Sequence, residues 1–312
     1  MALDAGDLAL RQLTEVWLDE LLDMTNDPAV ARLCGTRPGV TDQELLSEIT
    51  ARKADPTCCD WAILHSTTGE FVGNIVLHEF DEPKNAMTMR VSLAGERWMD
   101  RGIGTAVLET VLTHAFDGMQ LSRVNVSVPV ANARALRVFT RLGFSEGRQY
   151  DSRGVRHQRL SLSKLQFVLA IAERLMGESL DTQKWSFAFD SGKRRAGLCD
   201  HTNRRISLSK HMSGLHSVDQ SRQVMYHEIA HALAGAKHGH DKQWLRIATD
   251  LGYRNERISG RAVDEAHARW RGICPNGHEY FRYRRPTRVS SCSKCSRKYD
   301  DRYKILWDER TE

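Results

Sequence analysis

The residues best suited to chemistry lie in one stretch of the 312-residue chain, YHEIAHALAGAKHGHDKQW, residues 226–244. It contains His227-Glu228-Ile229-Ala230-His231, followed by His238 and His240. On a helix, positions i and i+4 share one face about 6 Å apart, so two imidazoles can hold one Zn2+. Zinc lowers the pKa of a bound water from ~15.7 to ~7. Glu228, beside the pair, can take that water's proton as general base and return it to a leaving amine as acid. The helical pattern stops near Gly235, so a loop can bring His240 back as third ligand. A fourth position then stays open, as a catalytic zinc site requires. His238 is the alternative third ligand, and a helix with two surface histidines is the competing reading of the whole motif.

A second ligand-like set lies near the C-terminus. Cys274-x3-His278, thirteen further residues and Cys292-x2-Cys295 supply four donors in two pairs. That spacing suits a closed, tetrahedral structural zinc, which would replace the hydrophobic core so short a segment cannot build. A free Cys274 with a redox-active Cys292/Cys295 pair is the alternative. The other cysteines, Cys34, Cys58, Cys59 and Cys199, are scattered and do not form a disulfide framework. Between the two pairs, EYFRYRRPTR interleaves Tyr280, Phe281 and Tyr283 with Arg282, Arg284, Arg285 and Arg288. Aromatic rings can stack on unpaired bases while the guanidiniums meet phosphates, which points to nucleic acid as a partner.

The first half offers a different chemistry. In DRGIGTAVLETVL, Gly102 and Gly104 fall between a strand pattern and a helix. Glycines there let main-chain N–H groups approach a phosphate, and the helix dipole favours its charge.

These groups are positioned by elements that alternate throughout the chain. VWLDELLDMTNDPAVARLC has helical spacing; CCDWAILHS, EFVGNIVLHEF and AMTMRVSLA read as strands. The helix GTAVLETVLTHAFD, strand RVNVSVPV, helix NARALRVFTRLGF and strand HQRLSLSK follow. A new helix, LQFVLAIAERLMG, then leads to three short strands, WSFAFD, AGLCD and RRISLSK, and to the helices VDQSRQVMYHEIAHALAG and KQWLRIATDLG. The length suggests two ordinary domains, with a short boundary near residue 164. Residues 1–150 carry 14 Lys+Arg against 21 Asp+Glu, and residues 151–312 carry 31 against 19. The basic half therefore attracts polyanions. No apolar run approaches the ~18 residues of a membrane helix, and no secretory signal is visible, so a cytoplasmic protein without membrane partners is expected.

Two resemblances sharpen these expectations. WSFAFDSGKRRAGLCDHTNRRISLSK together with VMYHEIAHALAGAKHGHDKQW resembles the SprT-like (Spartan-like) metalloprotease family across about residues 164–310. In that family Gly is usual where Asp241 stands, and a terminal zinc ribbon is common, most often with a second Cys where His278 stands. The resemblance implies a zincin-like α+β fold with Glu228 catalytic, a metal on His227, His231 and His240, a ribbon zinc on Cys274, His278, Cys292 and Cys295, and action on DNA-bound proteins. The glycine-rich loop with Asn132-x2-Ala135-x3-Phe139-x3-Gly143-Phe144 resembles the GNAT family of acetyl-CoA-dependent N-acetyltransferases across about residues 8–164. LRQLTEVWLDELLDMTNDPAVARL looks like the opening of its ribosomal-protein acetyltransferase branch. This implies a mixed central sheet flanked by helices. It also implies a CoA pyrophosphate on the loop Arg101, Gly102, Ile103, Gly104, Thr105 and Ala106, and a pantetheine arm beside Asn132. Met99 and Asp100 depart from the loop pattern, Phe139 stands where many members have a tyrosine acid, and AMTMRVSLA lacks the glutamate base often found there. The expected organisation is a GNAT domain over 8–164, a SprT-like domain over 165–268 and a ribbon over 269–308, with two zinc ions and acetyl-CoA. The alternative is an acetyltransferase whose zinc-bearing half only recognises nucleic acid.

Overall fold

The computed structural model describes residues 2–193, 195–254 and 268–310. Residues 255–267, expected at the end of the second domain, lie outside them. The architecture is mixed α+β and divides into two compact units, Met1–Glu173 and Arg174–Glu312. The division falls inside one helix, α6 (Lys164–Ser179), rather than at its start.

The first unit is built on an eight-stranded sheet. Its strands are β1 (Leu3–Ala5), β2 (Leu8–Gln12), β3 (Cys59–His65), β4 (Phe71–Asp81), β5 (Ala86–Leu93), β6 (Arg123–Pro129), β7 (Ser145–Ser152) and β8 (Val155–Ser163). Their spatial order is β1-β2-β3-β4-β5-β6-β8-β7, and only β5 and β6 run parallel. That pair is joined at Ala86–Arg123, Met87–Val124 and Thr88–Asn125 alone. Beyond Thr88 the two strands part, and the sheet opens. β4 is buried at Val72, Ile75, Val76 and Leu77, with no in–out alternation, because helices cover both faces of the sheet centre. The helices α1 (Leu18–Asn26), α2 (Pro28–Cys34) and α3 (Asp42–Ala54) contribute Leu21, Met24, Val30, Leu45 and Ile49 to one cluster with Ala62 and Phe71. α4 (Ile103–Thr113) buries Val107, Leu108, Val111 and Leu112. α5 (Ala133–Arg141) begins at the Asn132 cap.

The second unit has a three-stranded sheet ordered β10-β11-β9: β9 (Ser186–Asp190), β10 (Gly197–Asp200) and β11 (Arg205–Ser209). β10 is antiparallel to β11 and forms an edge. The short α7 (Lys210–Leu215) leads to α8 (Val218–Ala234) and α9 (Lys242–Asp250). β12 (Trp270–Ile273), β13 (Glu279–Arg282) and β14 (Leu306–Glu309) then make an antiparallel sheet ordered β13-β12-β14. No helix among the described residues is long and apolar enough to cross a membrane.

Several expectations were too coarse. The single first helix is two, broken where Asp27 caps α2 and Pro28 starts it. The sequence pattern predicts neither α3 and β7, nor the short β1, β2 and α7, nor the C-terminal strands β12, β13 and β14.

Candidate metal centre and acyl-donor cleft

α8 carries three of the four residues in the HExxH-based set. Ser217 and Gln220 close a capping box at its start, and Gly235 ends it with a positive φ of 92°. Nine of its seventeen residues are buried, including Val224, Met225, Ile229 and Ala230. His227 and His231 project from one face. α9 starts under the Asp241 cap, whose Oδ1 accepts from the Trp244 N–H at 3.0 Å. The loop between the helices returns His240 to the same point.

The three imidazoles converge through equivalent atoms. Nε2 of His231 lies 3.2 Å from Nε2 of His227 and 3.2 Å from Nε2 of His240, and the third edge is 3.1 Å. Ligands ~2.0–2.1 Å from a tetrahedral zinc sit about 3.4 Å apart, so the triangle is close to the size that ion demands. The alternative ligand His238 is turned elsewhere: its Nδ1 meets Asp241 Oδ2 at 2.7 Å. Asp241 thus caps α9 and occupies the rival histidine. Trp244 is the floor of the site, 3% exposed, with its ring 4.8, 5.2 and 4.6 Å from those of His227, His231 and His240. Burial, then the neighbouring His231 and His240, push the His227 pKa down to about 4; burial and His240 also lower that of His231. Both rings are therefore neutral at pH 7, the form that binds metal.

Glu228 is 8% exposed, and burial raises its pKa to about 7 against the opposing pull of the Cys199 backbone and Arg195. β10 lies directly against it. A Cβ on Gly197 would sit 2.8 Å from Glu228 Cγ and Oε1 and 2.7 Å from Val224 Cγ1, so the strand can pass this close only as glycine. Neither this packing nor the Trp244 floor follows from the sequence pattern: the first joins residues 31 positions apart, and the second depends on how α9 folds back on α8.

The cysteine set also converges. His278 Nδ1 lies 3.6, 3.5 and 3.3 Å from Sγ of Cys274, Cys292 and Cys295, and Cys274 Sγ lies 3.9 Å from Cys295 Sγ. Tetrahedral zinc with ~2.3 Å sulfur and ~2.0 Å nitrogen bonds requires about 3.5 Å between N and S and about 3.8 Å between sulfurs. The donors fit, with His278 as the one nitrogen ligand beside three sulfurs. The only other buried member of this cluster is Ile305. The Tyr280 hydroxyl lies 3.0 Å from Cys292 Sγ, and Asn276 Nδ2 donates to Cys295 Sγ at 3.4 Å. Loss of hydration disfavours the Cys292 thiolate, but hydrogen bonds from Tyr280 and Cys295, with the backbone N–H groups of Lys294 and Cys295, together outweigh it and hold its pKa down. Beside this cluster, residues 280–290 and Lys193 line a groove in which Lys193 lies over the Tyr283 ring at 5.1 Å.

In the first unit, the predicted phosphate loop becomes the start of α4. Gly102 caps it with a φ of 78°, and nothing lies within 4 Å of a Cβ placed on Gly102 or Gly104. The first-turn N–H groups of Ile103, Gly104 and Thr105 lack partners within the helix, and Ala106 N–H bonds to Gly102 O at 3.0 Å. Arg101 stands over the Trp98 ring at 5.9 Å. Asp100 is drawn to Arg134, Oδ1 to Nε 3.2 Å, so its charge is partly neutralised. A cleft opens where β5 leaves β6, lined by Leu93, Met99, Gly104, Leu108, Asn132 and Phe139 among others. Asn132 lines it, but its amide is engaged within the protein: Nδ2 donates to Leu33 O and Oδ1 accepts from Ala135 N–H, both at 3.0 Å. Phe139 is buried edge-on to Phe144, 5.1 Å between centroids.

Residues 7–145 match the acetyltransferase (GNAT) domain family, and residues 165–264 match the SprT-like family. The chain joins a GNAT acetyltransferase domain to a SprT-like domain. A similar curated protein is "Uncharacterized N-acetyltransferase YoaA" of Bacillus subtilis (strain 168), 25% identical over 154 residues that span 47% of this chain and 86% of that protein. Similar solved structures include a spermidine N-acetyltransferase from Vibrio cholerae, with 15% identity and a TM-score of 0.48 over 52% of this chain and 99% of that one. A putative acetyltransferase from T. thermophilus has 20% identity and a TM-score of 0.48 over 55% of this chain and 94% of that one.

Proposed function

We propose that the protein is bifunctional: an acetyl-CoA-dependent N-acetyltransferase joined to a zinc-dependent peptidase that acts on DNA-associated proteins. The observation that carries the peptidase reading is the triangle of three Nε2 atoms, with the buried Glu228 next to His227 on the same helix. Zinc, held by His227, His231 and His240, would supply Lewis acidity toward a water and a peptide carbonyl. Glu228 accepts the proton of the attacking water and delivers it to the departing amine nitrogen. A cation held by the imidazoles would draw the Glu228 pKa back down and so favour the ionised carboxylate that accepts the proton. β10 is a sheet edge beside Glu228, and an extended substrate chain can add to it through main-chain hydrogen bonds. Trp244 restrains all three imidazoles and keeps water from beneath them.

The ribbon supplies the DNA-facing surface in this reading. Cys274, His278, Cys292 and Cys295 would hold a structural zinc, and the Arg/Tyr groove beside them suits a single strand of nucleic acid: aromatic faces for bases, guanidiniums for phosphates. For acyl transfer, the start of α4 suits the CoA pyrophosphate, and the opening between β5 and β6 suits the acetyl-bearing arm.

Metal analysis tests the zinc assignment, with two zinc per chain expected and none overturning it. Proteolysis of a DNA-bound protein with and without chelator tests the peptidase. Glu228→Gln should keep its metal and lose cleavage; undiminished cleavage removes Glu228 from its role. Titration calorimetry with acetyl-CoA tests the first unit separately.

A further inference from the structure

With phenylalanine at position 139, the acyl-transfer reading lacks the usual proton donor. A thiolate leaving acetyl-CoA must be protonated, and Phe139 has no proton to give. The polar side chains around the cleft are few. Asn132 is committed at both ends of its amide. Arg134 is paired with Asp100. The remaining polar groups that line the cleft are Cys34 and Ser92. Cys34 is the last residue of α2, and Ser92 lies on the part of β5 that has left β6. Though 58 positions apart in sequence, their Sγ and Oγ atoms are 3.4 Å apart.

We propose that Cys34 is the acid that protonates the departing CoA thiolate, with Ser92 as its positioning residue. The proposal rests on the acyl-transfer reading above. As the acceptor nitrogen bonds to the acetyl carbon, the C–S bond of the thioester breaks and its electron pair stays on sulfur. That sulfur takes the thiol proton of Cys34. The Ser92 O–H donates to the Cys34 thiolate left behind, and the proton shed by the new amide nitrogen restores the thiol through solvent. The balance is one acetyl-CoA and one amine to one amide and one CoA thiol. A thiol suits the task better than a hydroxyl, because the departing group is itself a thiolate and proton transfer is most efficient between like groups. The plain alternative is that Cys34 acts as a small hydrophobe beside the α1–α3 cluster.

The two roles separate by choice of leaving group. CoA release from acetyl-CoA is followed by chromatography, with peptides and small primary amines as acceptors, on the full chain. Cys34→Ser keeps the volume and loses the acidity; Cys34→Ala loses both. Both should lower kcat about 100-fold, and Ser92→Ala about tenfold, while acetyl-CoA Kd by calorimetry moves less than about threefold. With the acetyl ester of 4-nitrothiophenol, whose thiolate leaves unprotonated, the same variants should stay within about threefold of the native protein. Equal losses on both donors, or a native rate for Cys34→Ser with acetyl-CoA, overturn the proposal. An acetyl group found on Cys34 by mass spectrometry also overturns it, because the thiol would then be the nucleophile. If the native protein neither binds nor turns over acetyl-CoA, the acyl-transfer reading falls and takes this proposal with it.

Discussion

Gly197→Ala should disable the peptidase without removing its metal. The added methyl would stand 2.7 Å from Val224 Cγ1 and 2.8 Å from Glu228 Cγ and Oε1. Carbon atoms pack at ~3.5–4.0 Å, so the neighbours must give way by about 1 Å. Val224 is fixed in the helix and buried, whereas the Glu228 carboxyl is the movable end of a side chain. The strain therefore falls mainly on Glu228. Overpacking of this kind costs about 1–3 kcal/mol of stability, a modest fall in melting temperature. A catalytic group misplaced by ~1 Å costs about 100-fold in rate. The three atoms nearest the methyl belong to Val224 and Glu228, not to His227 or His231, so zinc content should be unchanged. The assay is cleavage of a DNA-bound protein, with zinc content and melting measured on the same preparation. A double-mutant cycle makes the test specific: on a Glu228→Gln background, Gly197→Ala should cost no further rate. Full cleavage by a folded, zinc-loaded Gly197→Ala, or additive losses in the cycle, would refute the reasoning.

Three other perturbations follow from the same geometry. In metal-free protein, His227 has a folded pKa of about 4 against an ordinary value of 6.5, so its contribution to stability is full above pH 6.5 and is lost as pH falls toward 4. Glu228, raised from 4.5 to about 7, acts in the opposite sense and loses stability as pH rises through that window. Metal-free Glu228→Gln should therefore show a clear rise in melting temperature from pH 4 to 6.5 where the native chain shows a flatter one; identical profiles would refute the assignment. Tyr280→Phe removes the hydroxyl 3.0 Å from Cys292 Sγ and should weaken ribbon zinc about tenfold in chelator competition, leaving the histidine-held zinc unchanged. Asp100→Ala removes a carboxylate near the start of α4 and releases Arg134, so acetyl-CoA should bind several-fold tighter at low salt and with a steeper salt dependence; unchanged Kd values in calorimetry would separate Asp100 from the phosphate site.

The convergence of the three histidines was legible because its information is local. His227 and His231 are one helical turn apart, and His240 follows after a single Gly-containing loop, so spacing alone brought the three together. What spacing could not choose was between His238 and His240; that choice lies in the Asp241 side chain, which holds His238. The convergence of Cys274, His278, Cys292 and Cys295 was legible for the same reason. The missing elements had weaker signals. β7, SEGRQYDS, is an exposed edge strand with no apolar alternation to read. α3 buries only Leu45 and Ile49, yet its capping box, Thr41 with Glu44, was written in the sequence and could have located it. Cys34 and Ser92 were invisible as a pair, because only the way α2 packs over the parted end of β5 brings them together.

The two candidate metal sites should respond differently to chelation, and the reason lies in what each has besides a metal. The histidine site stands on two helices joined by their own apolar contacts: Ala230, Ala234, Trp244 and Ala248 form a core without any ligand atom. Removing a metal there leaves the helices packed and costs only the poor hydration of the ligand nitrogens. The ribbon has no such reserve. Its buried cluster is Cys274, Cys292 and Ile305, so two of the three members are themselves ligand donors. Without a cation the thiols must be buried as polar groups with few partners, and the short strands β12, β13 and β14 lack enough apolar area to hold together. Chelation of the whole protein should therefore release amide protection in residues 270–309 while protection across α8 and α9 persists. Hydrogen exchange followed peptide by peptide reads both at once. Loss of protection in α8 before β12–β14 would mean that the histidine site, and not the ribbon, depends on metal for its fold.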